Sequence, residues 1–219
     1  TDALNITMDF YEIELEDRIT QGDNIALTAS DIATLQGLGI PGAGDLTNFR
    51  FYVNDFDTTT KGFDLVATYE AEIGDGNTFF TFVYSDVDTS FDKTTGLVGQ
   101  GRIDQIERLL PATRWNLSAT HLMDDWRFVG RINWVDSWSF PDWGDSYIYL
   151  SEETHVDLEV SRDLPTDLGG LTLTFGAQNA FDSYPDEEPR ATILGWKYPE
   201  AAPMGFNGAF YYFKVGMNF

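Results

Sequence analysis

His155, Asp157 and Glu159 alternate with Val156, Leu158 and Val160, so a strand here would carry an imidazole and two carboxylates on one face. Those residue types belong to metal sites and to acid–base pairs. Positions two apart on a strand are separated by about 7 Å, too far for three side chains to close on one ion without help from elsewhere. The face reads as a wet wall rather than a reaction centre. His121, the other histidine, stands beside the Asp124-Asp125 pair and reads as an interface residue. The string "PDEEP" (185–189) with Asp182 has the carboxylates for a divalent cation, and the solvated acidic loop is the favoured reading. The chain has no Cys and no nucleophile elbow, P-loop, zinc motif or calcium loop. No catalytic residue, metal ligand or cofactor is therefore assigned, and the chain does not read as an enzyme.

The remaining chemistry is aromatic. "FPDWGDSYIYL" offers Trp143, Tyr147 and Tyr149, and "ILGWKYPE" offers Trp196 and Tyr198, each beside carboxylates. Such rings suit stacking on sugars or flat ligands, and they equally suit loops packing on one another. They are the candidate ligand contacts for a small molecule or a glycan.

Eight runs of alternating apolar and polar residues must position these loops: about 3–15, 49–73, 78–88, 113–123, 126–138, 154–162, 171–179 and 208–219. "ASDIATLQGLG" (29–39) is the best helical candidate and reads as a loop element. The connections "GDGN" (74–77), "DD" (124–125) and "DLPTDLGG" (163–170) are hairpin turns. They alternate with long connections, and that sorting matches a transmembrane barrel, with short turns on one rim and long loops on the other. In "WRFVGRINWVDSW", Trp126, Phe128, Ile132 and Trp134 share one face, and Arg127, Arg131 and Asn133 share the other. Trp126 and Trp138, 12 residues apart, would lie about 30 Å apart along a membrane normal, so Trp126, Trp134 and Trp138 read as girdle residues. Run three, "TFFTFVYSDV", is mixed on both faces.

Composition narrows the partners. Among 219 residues, 36 are acidic and 13 basic, a net charge of -23 that argues against nucleic acid, whose phosphate backbone needs clustered Lys and Arg. It does not exclude a membrane, because a barrel keeps its charge in loops and lumen. No apolar stretch is long enough for a transmembrane helix. The chain opens "TDALNITMDF", without an initiator Met or a basic-then-apolar leader, and reads as a mature chain or a fragment.

"TKGFDLVATY" (60–69), "ERLLPATRWNLSATH" (107–121), "NAFDSYPDE" (179–187) and "PMGFNGAFYYFKVGMNF" (203–219) together resemble the C-terminal part of TonB-dependent outer-membrane receptors. Ala180 stands where the family's Asn-Leu-Phe-Asp box has Leu. The resemblance implies an all-β fold: antiparallel transmembrane β-barrel strands over 1–219, about eight of them and the last eight of a 22-strand barrel, with the plug domain absent. It implies uptake of a scarce ligand (a metal chelate, cobalamin or an oligosaccharide) across the bacterial outer membrane. The implied partners are outer-membrane lipid and lipopolysaccharide, the barrel-assembly machinery, and TonB through the missing N-terminal part. Tyr211, Phe213, Val215, Met217 and the terminal Phe219 then form the barrel-assembly signal. Two alternatives stay open, a self-contained eight-stranded outer-membrane barrel and a secreted soluble β-sandwich that binds glycans.

Overall fold

The computed structural model describes residues 3–22, 24–94, 96, 98–142, 146–166 and 169–218. In chain order the strands are β1 (Leu4–Gln21), β2 (Ile25–Ala26), β3 (Asn48–Phe49), β4 (Tyr52–Ile73), β5 (Gly76–Thr94), β6 (Thr113–Met123), β7 (Trp126–Val135), β8 (Trp138–Pro141), β9 (Tyr147–Leu150), β10 (Glu153–Thr166), β11 (Gly169–Gln178) and β12 (Phe210–Asn218). Eight of them form one sheet in the order β1-β4-β5-β6-β7-β10-β11-β12, and β2-β3 and β8-β9 are separate two-stranded ribbons. Each of the eight corresponds to one of the alternating runs. The β4–β5 and β6–β7 turns are two residues each; Gly74 (φ 61°) and Asp124 (φ 50°) supply the left-handed conformation such turns require. Residues 167–168 of the third hairpin lie outside the described residues. Up-and-down pairing therefore puts the hairpin turns at one end of the sheet and the connections 22–51, 95–112, 136–152 and 179–209 at the other.

Register decides the faces. Ala119, Gly130, Leu158, Ala177 and Tyr211 are successive cross-strand partners, so one row of the apolar face runs through β6, β7, β10, β11 and β12. The mixed run three is settled the same way. Phe80, Phe82 and Tyr84 pair with Ala119, Leu117 and Trp115 and join this apolar face, whereas Phe79 and Val83 fall on the other. A belt of rings crosses five strands, towards the middle of β1, β4 and β5 and near the long-connection end of β6 and β7. Phe10 meets Phe63 at 4.8 Å, Phe63 meets Tyr84 at 6.1 Å, Tyr84 is the register partner of Trp115, and Trp115 stacks on Trp134 at 5.9 Å. The face is open: Phe10 is 77% exposed and Phe213 63%.

The chain divides into two compact units, Thr1–Tyr11, Lys61–Asp88 and Arg108–Phe219 in one, Glu12–Thr60 and Thr89–Glu107 in the other. In β1 the apolar positions are even-numbered up to Phe10 and odd at Ile13 and Leu15, and Asp17 turns left-handed (φ 52°). The alternating run stops at about residue 15, just before Asp17, whereas the strand continues to Gln21. In the second unit, Val53, Phe56 and Val98 are buried against Phe91 and against Ile103 and Ile106 of α2 (Gln100–Arg108). The segment expected as a loop turn contains a true helix, α1 (Ala29–Gly37), because Thr28 and Asp31 form a capping box: the Asp31 amide donates to Thr28 Oγ1 at 3.3 Å and the Thr28 amide to Asp31 Oδ2 at 2.9 Å.

In the first unit, Asp136 ends β7. Its Oδ1 accepts the Ser137 amide at 2.7 Å and the chain leaves the sheet. Trp138 is consequently not a girdle residue. It is 4% exposed in the ribbon β8-β9, packed with Ile148, Leu150, Leu109, Phe140 and Ala201. Its 12-residue separation from Trp126 is not a distance along one strand.

Two glycines beside the edge strands carry tyrosine rings. Tyr11 of β1 lies over Gly62 of β4, and Tyr212 of β12 lies over Gly176 of β11, each where a Cβ would stand. The cross-strand ring replaces the packing that the glycine lacks. Gly62 is the glycine of "TKGFD". Gly176→Val is expected to displace the Tyr212 ring and to destabilise by about 1–3 kcal/mol in thermal unfolding of the detergent-solubilised protein. Gly130→Ala, whose Cβ would meet only Leu158 Cδ2 at 3.9 Å, serves as the tolerated control.

Candidate functional site

The second face of the sheet is charged and internally paired. Glu159 accepts from Arg127 Nη1 at 2.8 Å, Tyr212 Oη at 2.7 Å and Lys214 Nζ at 3.4 Å, which joins β7, β10 and β12. Asp157 accepts from the Asn179 amide at 2.9 Å and Asn133 Nδ2 at 3.2 Å, with Arg131 Nη1 at 3.6 Å. Ser161 and Thr174 share a hydrogen bond of 2.9 Å. The two carboxylates of the His155-Asp157-Glu159 set are thus held by separate cations, which is what a polar wall requires.

His155 is different. Its Nε2 is buried without a hydrogen-bond partner among the described residues. The ring lines a cavity of about 750 Å3 with Asp157, Gln178, Asn179, Asn207 and Phe210. The amides offer donors and acceptors, Asp157 an acceptor and Phe210 a ring, a set that matches a polar, hydroxyl-bearing ligand. Gln178, Asn207 and Phe210 were not legible as site residues, because only the fold brings positions 133, 155, 178 and 207 together.

The connection 179–209 is shaped by the same "NAFDSYPDE" box. Asn179 (φ 47°), 5% exposed, accepts the Ser183 amide at 2.9 Å and donates to the Ser183 carbonyl at 2.7 Å. Asp182 (φ 56°) accepts the Ala209 amide at 2.8 Å. Asn and Asp are the residues that tolerate this backbone and bond back to it. The carboxylates of "PDEEP" are engaged as well: Asp186 accepts the Ser151 amide, Glu187 pairs with Lys197, and Glu188 with Arg190. Among the described residues no three His, Asp or Glu converge as metal ligands.

The candidate aromatics fall into two groups. Tyr147 and Tyr149 lie on β9; Arg108 stands over the Tyr147 ring at 5.7 Å, and Tyr149 is 74% exposed. Tyr198 stacks between Tyr184 (5.5 Å) and Phe206 (6.4 Å), while Trp196 is exposed. Tyr198 therefore packs loop on loop, and Tyr149 and Trp196 are the rings left open. Trp143 lies outside the described residues. Trp126 stacks on Phe128 at 5.9 Å under Arg162, near the hairpin end, and Trp134 belongs to the ring belt. Tyr211, Phe213, Val215 and Met217 pair with Ala177, Phe175, Leu173 and Leu171 on the apolar face, and Phe219 lies outside the described residues.

No family model and no curated protein matches the sequence. Among solved structures, the outer-membrane transporter YddB from Escherichia coli is similar over the whole chain, with a TM-score of 0.62 at 12% identity. The chain spans 31% of the length of YddB. At this identity the likeness is one of fold: the eight antiparallel strands are arranged like strands of that β-barrel.

One loop pair has a pH dependence of its own. Glu188 is 3% exposed and its carboxyl is held below the ordinary 4.5 by hydrogen bonds from Arg190, whose Nε donates at 2.8 Å. A depressed folded-state value contributes stability above the unfolded value and loses it as pH falls through the folded one. Hydrogen exchange of residues 188–195 is expected to accelerate as pH falls from the ordinary carboxyl value of 4.5 through the lowered folded-state value, after correction for intrinsic rates, and Glu188→Gln to remove that step.

Proposed function

We propose that this chain is the C-terminal part of the barrel of a TonB-dependent outer-membrane receptor that imports a scarce ligand, a transport role rather than a catalytic one. The observation that carries the reading is the match of the whole chain to part of a longer outer-membrane transporter. The faces support it. An open apolar face crossed by a ring belt suits lipid and its interfaces, and a charge-paired face suits a wet lumen. β1 and β12 end the sheet order and, among the described residues, do not pair with each other, which suits continuation by further strands. The long connections then face outward, where Tyr149, Trp196 and the amide-lined cavity would meet a metal chelate, cobalamin or an oligosaccharide, and the acidic loops would meet lipopolysaccharide. TonB would act through the N-terminal part, and the strand ending at Phe219 would be read by the assembly machinery.

The reading frame upstream of Thr1 is expected to encode about fourteen further strands and a plug. A stop codon and signal peptide immediately before Thr1 would overturn this. In the full-length protein, Leu158→Arg on the apolar face is expected to cost about 2–4 kcal/mol of assembly, read as loss from the outer-membrane fraction, while Thr120→Arg on the other face is tolerated. A soluble sandwich would accept Leu158→Arg, because that side chain is 48% exposed.

A further inference from the structure

Arg50 and Arg102 converge on a second cavity, within the unit formed by Glu12–Thr60 and Thr89–Glu107. Its volume is about 440 Å3, and its wall includes Thr20, Gln21, Tyr52 and Gln105 and, among the described residues, no carboxylate. In a chain with 36 acidic residues, Arg127, Arg131 and Arg190 each lean on an Asp or Glu. These two do not. Arg50 donates from Nε to Asn24 Oδ1 at 2.6 Å and from Nη1 to Gln21 Oε1 at 3.3 Å. Arg102 donates from Nε to Thr20 Oγ1 and from Nη1 to Gln105 Oε1, both at 3.0 Å. Among the described residues every partner is neutral. The bonds orient the guanidinium groups without neutralising them.

The donor count points the same way. A guanidinium carries five N–H groups, and each of these arginines uses two, leaving both N–H of Nη2 and one of Nη1. Because guanidinium only donates, Gln21 and Gln105 turn their oxygens toward it and their NH2 groups away. Thr20 Oγ1 is likewise an acceptor toward Arg102, and the Tyr52 hydroxyl adds a donor at an exposed rim. Among the described residues, two cations with unused N–H groups stand in this cavity without an acceptor that carries negative charge.

We infer that this cavity is an oxyanion-binding site, taking a carboxylate or phosphate group of a small ligand between Arg50 and Arg102. The planar forks match a two-oxygen anion edge on, which a lysine ammonium would not reproduce. Against a net charge of -23, the site also gives an anion the one kind of surface on which it is attracted locally. The inference stands on this unit alone and does not depend on the transport reading.

The test is calorimetric titration of the full-length protein in detergent at low ionic strength, with inorganic phosphate, with citrate, and with glucose as the neutral control. At least one anion is expected to bind and glucose not to bind at this site. Arg50→Gln and Arg102→Gln are each expected to weaken that anion about tenfold or more, with Arg→Lys recovering only part. Tighter phosphate assigns a phosphate site, and tighter citrate a carboxylate site. A measurement without variants guards against misassembly: the bound anion is expected to protect Arg50 and Arg102 from dicarbonyl labelling, read by peptide mass spectrometry, and to leave Arg127 labelled. Absence of anion binding, anion affinity unchanged in both Gln variants, or labelling of Arg50 and Arg102 unaltered by anion would each overturn the assignment.

Discussion

A ladder hydrogen bond fixes more than a pair of strands. Once Leu158 is set opposite Gly130 and Ala177, each neighbour up and down β10 is committed to one side of the sheet or the other. A slip of one residue would bring Asp157 and Glu159 onto the face of Phe128 and Phe175, and Val156 and Leu158 among Arg127, Arg131 and Lys214. The separation of an apolar face from a charge-paired face therefore rests on register, and everything the chain could do at a membrane rests on that separation.

The charge-paired face shows why the partners come from different strands. Glu159 is served from β7 and β12, and Asp157 from β7 and the residue that follows β11. A single strand cannot supply its own counter-ions at a two-residue spacing, so the acids of β10 are satisfied only inside the assembled sheet. Each pair taken alone is worth little where water reaches it. Their effect is collective, since they favour one strand order and leave the wall compatible with water. Tyr212 joins this network to the packing: its hydroxyl reaches Glu159 while its ring covers Gly176.

The loops are built on different rules. Asn179 and Asp182 accept positive φ and bond back to the chain, Asp136 releases β7 into a ribbon, and Trp138 becomes part of a small core rather than a surface ring. These pieces give the long connections defined surfaces: an amide-lined cavity over the end of the polar face, and, in the other unit, arginines held by neutral acceptors.

The eight strands, their hairpins and the alternation of short with long connections were legible in the residues, because a period of two and a turn of Gly or Asp are local properties. So was the division of β7 and of β10 to β12 into two faces. Alternation could not place the second half of β1, where its phase changes, or resolve β5, which is apolar on both sides until β6 shows which rings have partners. It could not find α2, whose Ile103 and Ile106 have a meaning only against Val53 and Phe56. It assigned Trp138 by spacing along a strand that ends at Val135. Of the sites, the aromatic residues were visible and their surroundings were not. Gln178 and Asn207 line one cavity with His155, and Arg50 lines another with Arg102, across sequence separations that no local pattern spans. Backbone geometry and side-chain polarity act between neighbours and are written in order along the chain; a cavity is made by residues whose adjacency exists only after the strands have paired.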